Sequence, residues 1–115
     1  MNVQKMVLLK KAFVEGTKKA VALHMPVHMR LHSAIFNHPE LPEDVKRVWC
    51  HNVQISLEVM KGWMETSSLR RMVWVYVKTA PKSHPIQACW IMKNPKYRTI
   101  LRSLAFQAVK NSKMM

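Results

Sequence analysis

His24, His28 and His32 recur at four-residue intervals in "HMPVHMRLH", with Met25 and Met29 between them. Imidazole and thioether are ligands for soft or borderline metals such as copper and zinc. As a metal site the pattern is incomplete. A closed site takes about four ligands, and the nearby candidates are Met25, Met29 and His38, with no carboxylate between His24 and His38. Pro26 falls between His24 and His28, so a continuous helical face through all three rings is not expected. The histidines read as rings packed at a helix corner and facing a partner, and no metal is expected.

Cys50, His51, His84 and Cys89 can be drawn as a Cys₂His₂ set, but the spacing is wrong for a zinc finger. Neighbouring side chains on a helix point about 100° apart, so Cys50 and His51 do not converge on one ion. Buried thiols beside Trp49 and Trp90 are expected instead, with two free thiols or one disulfide both left open.

Hydrolytic chemistry has little to work with. Glu40, Glu43 and Asp44 look like corner and helix-dipole residues. The chain has no G-x-S-x-G, no Walker loop and no glycine-rich turn to cradle phosphate. No catalytic residue, no cofactor and no small-molecule substrate is expected.

Charge is more informative. The formal net charge is +13 over 115 residues. Residues 1–39 balance at +5, residues 40–65 at −2, and residues 66–115 at +10 with no acid at all. A concentration of cations of this kind repels itself and calls for a polyanionic partner. Lys10, Lys11, Lys18 and Lys19 form one cationic patch on the first helix. Arg70 and Arg71, with Lys78 and Lys82, begin a second. On the last helix Arg98, Arg102, Lys110 and Lys113 oppose an apolar stripe of Tyr97, Ile100, Leu101, Leu104 and Ala108, with Phe106 among the cations. A basic face with an exposed aromatic suits phosphate tracking and base stacking. The RNA-binding set is therefore Lys10, Lys11, Lys18, Lys19, Arg70, Arg71, Arg98, Arg102, Phe106 and Lys110. No helix-turn-helix, homeodomain or RNA-recognition signature accompanies it, so sequence-specific regulation is not expected.

The string "KYRTILRSL" resembles the Leu-Tyr-Arg signature of small mitochondrial adaptor proteins that hold acyl carrier protein. Lys96 stands where that signature has leucine, and the string falls in the last helix rather than the first. The similarity spans only Lys96 to Leu104, and no role is carried over from it.

These readings lead to a structural accessory subunit of a large ribonucleoprotein. The expected assembly is a mitochondrial ribosome, with rRNA phosphates and several neighbouring proteins as partners. The alternative is a supernumerary, matrix-side subunit of an inner-membrane respiratory or ATP synthase complex, touching protein and an anionic membrane surface. Ten methionines favour broad, adaptable protein contacts over bare DNA coating. Both readings place the chain in the mitochondrial matrix. Its first two dozen residues are basic and acid-poor, and Lys5, Lys10 and Lys11 interrupt any secretory apolar region.

The elements that must hold these residues read as an all-α single domain of about five helices with proline-marked corners, compact or draped over a larger assembly. Two glycines leave little scope for tight turns. Val3, Met6, Val7, Phe13, Val14, Thr17, Ala20 and Val21 predict one amphipathic helix over residues 2–24, stopping or kinking at Pro26, with a second from Val27 to Phe36. Pro42, followed by Glu43 and Asp44, opens the clearest helix. Its Trp49, Val53, Met60 and Trp63 are expected at the centre of the core. Residues 68–79 alternate valines as a strand does, but a lone strand has no partner here, so helix is expected. A short buried helix from Pro85 and a last one capped by Asn94 complete the chain.

Overall fold

The computed structural model describes residues 2–113, the last of them by its backbone alone. It holds five α-helices: α1 (Val3–Phe36), α2 (Glu43–Met64), α3 (Leu69–Thr79), α4 (Pro85–Met92) and α5 (Pro95–Lys113), with a 3₁₀ turn at Ala80–Lys82. No strand occurs among the described residues. The class is all-α, as the spacing of apolar residues predicts.

The first departure from expectation is at Pro26, which lies inside α1 rather than ending it. Proline deletes one helical hydrogen bond and crowds the preceding turn, at about 3 kcal/mol or more. Packing on both sides of the proline offsets that penalty. Val14 and Val21 are buried before it and Ile35, at 0 % exposure, after it. Asn2 caps the start, its side chain accepting from the Lys5 amide at 2.8 Å.

The turn after α1 is pinned by buried Leu41. Pro42 stands one place earlier than expected: it is the extended cap residue, and Glu43 is the first helical position. Its fixed φ of −65° suits the cap as well as the first turn. Antiparallel to α1, α2 carries the chain back to Thr66, which is buried. Ser68 then accepts from the Arg71 amide at 3.3 Å. That cap is why the alternating valines that follow form a helix.

The centre of the core is not where the aromatic residues of α2 pointed. Ile35, Leu41, Val45, Val53 and Leu101 form it, with Trp49, Leu57, Tyr97 and Leu104 packed against them. Met60 and Trp63 are half-buried and lie outside this cluster. Trp63 joins α2 to α3 instead, donating its indole N–H to the Met72 carbonyl at 2.8 Å.

α4 was expected to be buried and is not. Trp90 is 67 % exposed and Ile86 and Cys89 also face outward, while Ile91 and Met92 reach the core. The helix is apolar nearly all round, and α2 and α5 cover only part of it. Asn52 of α2 fixes its start, donating to the His84 carbonyl at 3.1 Å and accepting from the His84 amide at 2.7 Å. Asn94 caps α5 as expected, accepting from the Lys96 amide at 2.9 Å. No helix of the described residues is long and apolar enough to cross a membrane.

Candidate nucleic-acid interface

The antiparallel return of the chain brings the start of α3 beside the N-terminal half of α1. The two enclose a groove of about 640 Å³ lined by Val7, Lys10, Lys11 and Val14 on one side and by Ser67 to Arg70 and Val73 on the other. Cations sixty residues apart in the sequence thus face one channel. The amino end of α3 opens into the same groove, adding the positive end of its dipole. Among the described residues, neither Lys10, Lys11, Arg70 nor Arg71 has a carboxylate partner. The expectation of separate patches at opposite ends of the chain is corrected here: Lys10 and Lys11 share a groove with Arg70.

A second groove, of about 550 Å³, continues round α3 and is lined by Ser68, Arg70, Arg71, Val73, Trp74 and Val77. Trp74 is exposed, and Lys78 Nζ stands 5.4 Å from its ring centroid. The sequence points to Phe106 as the exposed aromatic, and the structure adds Trp74. The signal was present: Arg70 and Arg71, Trp74 and Lys78 recur at three- and four-residue steps, which places them along one side of a helix.

The other expected contacts lie elsewhere. Lys18 and Lys19 sit further along α1, Lys19 exposed and Lys18 half-buried. Arg102, Phe106 and Lys110 are exposed on α5 and Arg98 is half-buried. Their four-residue steps drift by about 40° each, so they follow a shallow spiral rather than a straight line. The Lys113 side chain lies outside the described residues. Since α5 packs on α1 and α4 but not on α3, this stripe does not belong to the α1–α3 groove.

No protein-family model, no curated protein and no solved structure matches the chain.

Four of the histidine rings have a contact within the fold: those of His28, His38, His51 and His84. His28 donates Nδ1–H to the His24 carbonyl at 3.0 Å. His51 Nε2–H donates to the Lys82 carbonyl at 2.7 Å, and its ring stacks on His84 with centroids 4.6 Å apart. Both cysteines are free thiols, and neither is fully buried, contrary to expectation: Cys50 is half-buried and Cys89 exposed. Cys89 faces outward because the exposed side of α4 carries it. Burial pushes the Cys50 thiol up, against a smaller opposing effect of Lys46. Among the described residues, no three His, Cys, Asp or Glu side chains group closely enough to hold a metal ion.

Proposed function

We propose that this protein is a structural, non-catalytic subunit of a large ribonucleoprotein, and that the assembly is a mitochondrial ribosome. The observation that carries the reading is the α1–α3 groove, where Lys10, Lys11 and Arg70 converge without counter-charge and Trp74 stands exposed beside them. Phosphate oxygens suit such a channel, and an unstacked base suits an exposed aromatic next to it. Arg98, Arg102 and Lys110 with Phe106 supply a second contact stripe on α5. Large apolar side chains left in solvent on α1, α3 and α4 support burial among neighbouring proteins. Those same apolar faces beside cations also favour the second reading, a matrix-side subunit of an inner-membrane complex that touches protein and anionic lipid.

Sedimentation of the tagged protein with and without ribonuclease separates the two. Under the first reading it travels with a large particle and is released by ribonuclease. Each lost phosphate contact should also reduce the salt slope of RNA binding by about 0.7–0.9. Lys10/Arg70 and Arg98/Arg102 reversed pairwise to Glu should each weaken binding to any RNA, with little change in sequence preference. Particle association that survives ribonuclease, together with undiminished RNA binding by both reversals, would leave the membrane-complex reading standing.

A further inference from the structure

α1 carries two apolar seams, and the fold uses only one. Val14 and Val21 are buried, and Val7 lies in line with them at the groove. Met6, Leu9, Phe13, Gly16, Ala20 and Leu23 fall on the other side, and all are exposed, Phe13 by 58 % and Leu23 by 74 %. The single amphipathic stripe expected from the sequence is therefore split between an inner face and an outer one.

The spacing of the outer face identifies what fits it. Its members recur at alternating steps of three and four, the 3.5-residue mean by which one helix presents a seam to another. A lipid surface requires only a broad apolar arc. Gly16 points the same way. Glycine weakens a helix interior relative to alanine, and nothing in this fold needs it, since a Cβ there would meet no atom within 4 Å. With Ala20 one turn on, it forms a shallow notch in the middle of the seam. A notch admits the close approach of a second backbone and offers a lipid nothing.

Charge narrows the occupant further. Lys5, Lys10 and Lys19 flank the seam, while Glu15, the one acid of α1, lies further round the helix. A second copy of this chain would set cations against cations. We infer that the outer face of α1 docks an amphipathic helix of another protein, one whose apolar seam is flanked by Asp and Glu. This inference rests on the outer seam and shares only the edge residue Lys10 with the groove of the RNA reading.

The test uses the full chain and two labelled helical peptides, each three heptads long with leucine and alanine in the seam. One is flanked by Glu and the other by Lys. The Glu-flanked peptide should bind at least about ten-fold tighter than its Lys-flanked counterpart. Phe13→Glu and Gly16→Leu should each weaken it by about ten-fold or more, with RNA binding unchanged and no loss of thermal stability; Gly16→Leu should melt somewhat higher, since it replaces a helix-interior glycine in open space. Lys11→Glu, on the groove side, should stay within about two-fold. Failure of the Glu-flanked peptide to bind, equal binding of the two peptides, or indifference to Phe13→Glu overturns the inference. So does Phe13-dependent dimerisation of the chain alone, which makes a second copy the occupant. Phe13-dependent binding to phosphatidylcholine vesicles containing phosphatidylserine, with neither peptide bound, makes the occupant a membrane.

Discussion

Gly62 of α2 lies against Val75 of α3, and replacing it measures how much that close contact matters. A Cβ at this position would stand 2.7 Å from Val75 Cγ1, 3.3 Å from Cγ2 and 3.6 Å from Cβ. The whole isopropyl group is in the way, and valine in a helix strongly prefers one rotamer. Relief therefore requires α3 to shift. Gly62→Ala gains about 1 kcal/mol of helix propensity and incurs about 1–3 kcal/mol of overpacking. The balance is a loss of about 0–2 kcal/mol. In a Val75→Ala background the obstructing methyls are gone, so the same substitution should stabilise by up to about 1 kcal/mol. Urea unfolding of all four chains, followed by circular dichroism, gives the coupling energy, expected at about 1–3 kcal/mol. Gly16→Ala is the control: with open space around it, only the propensity gain applies. If Gly62→Ala has the same effect in both backgrounds, the close helix contact is not what governs this site.

Other outcomes follow from single contacts. Trp63→Phe should cost about 0.5–1.5 kcal/mol for the lost bond to the Met72 carbonyl, and Trp63→Ala about 3 kcal/mol, the low end for a large aromatic because the ring is half-exposed; equal costs in urea unfolding would remove packing from the account. Asn52→Leu deletes both side-chain bonds to His84, at about 0.5–1.5 kcal/mol each. Amide exchange should accelerate across Pro85–Met92 in that variant while the middle of α2 stays protected. Maleimide should label exposed Cys89 before Cys50 at neutral pH, because only the thiolate reacts and burial keeps Cys50 protonated to higher pH. The lag should shrink as pH rises. Mass spectrometry showing equal rates at neutral pH would contradict the placement of Cys50.

The parts of the fold that were legible in the sequence are those dictated by local chemistry. Pro42, Glu43 and Asp44 announce α2 within one residue, and Asn94 with Pro95 announces α5, because caps and first turns are decided by neighbouring residues. Helix at α3 was legible for a different reason, the want of any partner for a lone strand, and the Ser68 cap agrees with it. Continuity through Pro26 was not legible: a local penalty is overruled there by packing such as that of Ile35, which is buried with Val45 and Val53 of α2 and Leu101 of α5. The groove was half legible. Lys10, Lys11, Arg70 and Arg71 were each identifiable as unpaired cations, but their convergence depends on the reversal of the chain between α1 and α3. The outer seam of α1 was written in the spacing of Met6 to Leu23, yet it merged with the inner seam until Val14 and Val21 showed which side faces in.

The apolar side chains exposed on α1, α3 and α4 also bear on how the isolated protein behaves as a colloid. With Phe13, Trp74 and Trp90 in water, mutual repulsion between molecules of net charge +13 is what keeps copies apart. The range of that repulsion is about 8 Å at physiological ionic strength and about 3 Å at 1 M salt. Added salt therefore removes the barrier while strengthening apolar attraction, so the purified chain should be most soluble in dilute buffer and precipitate as salt rises. Its safe states in a cell are then to be scarce or to be covered.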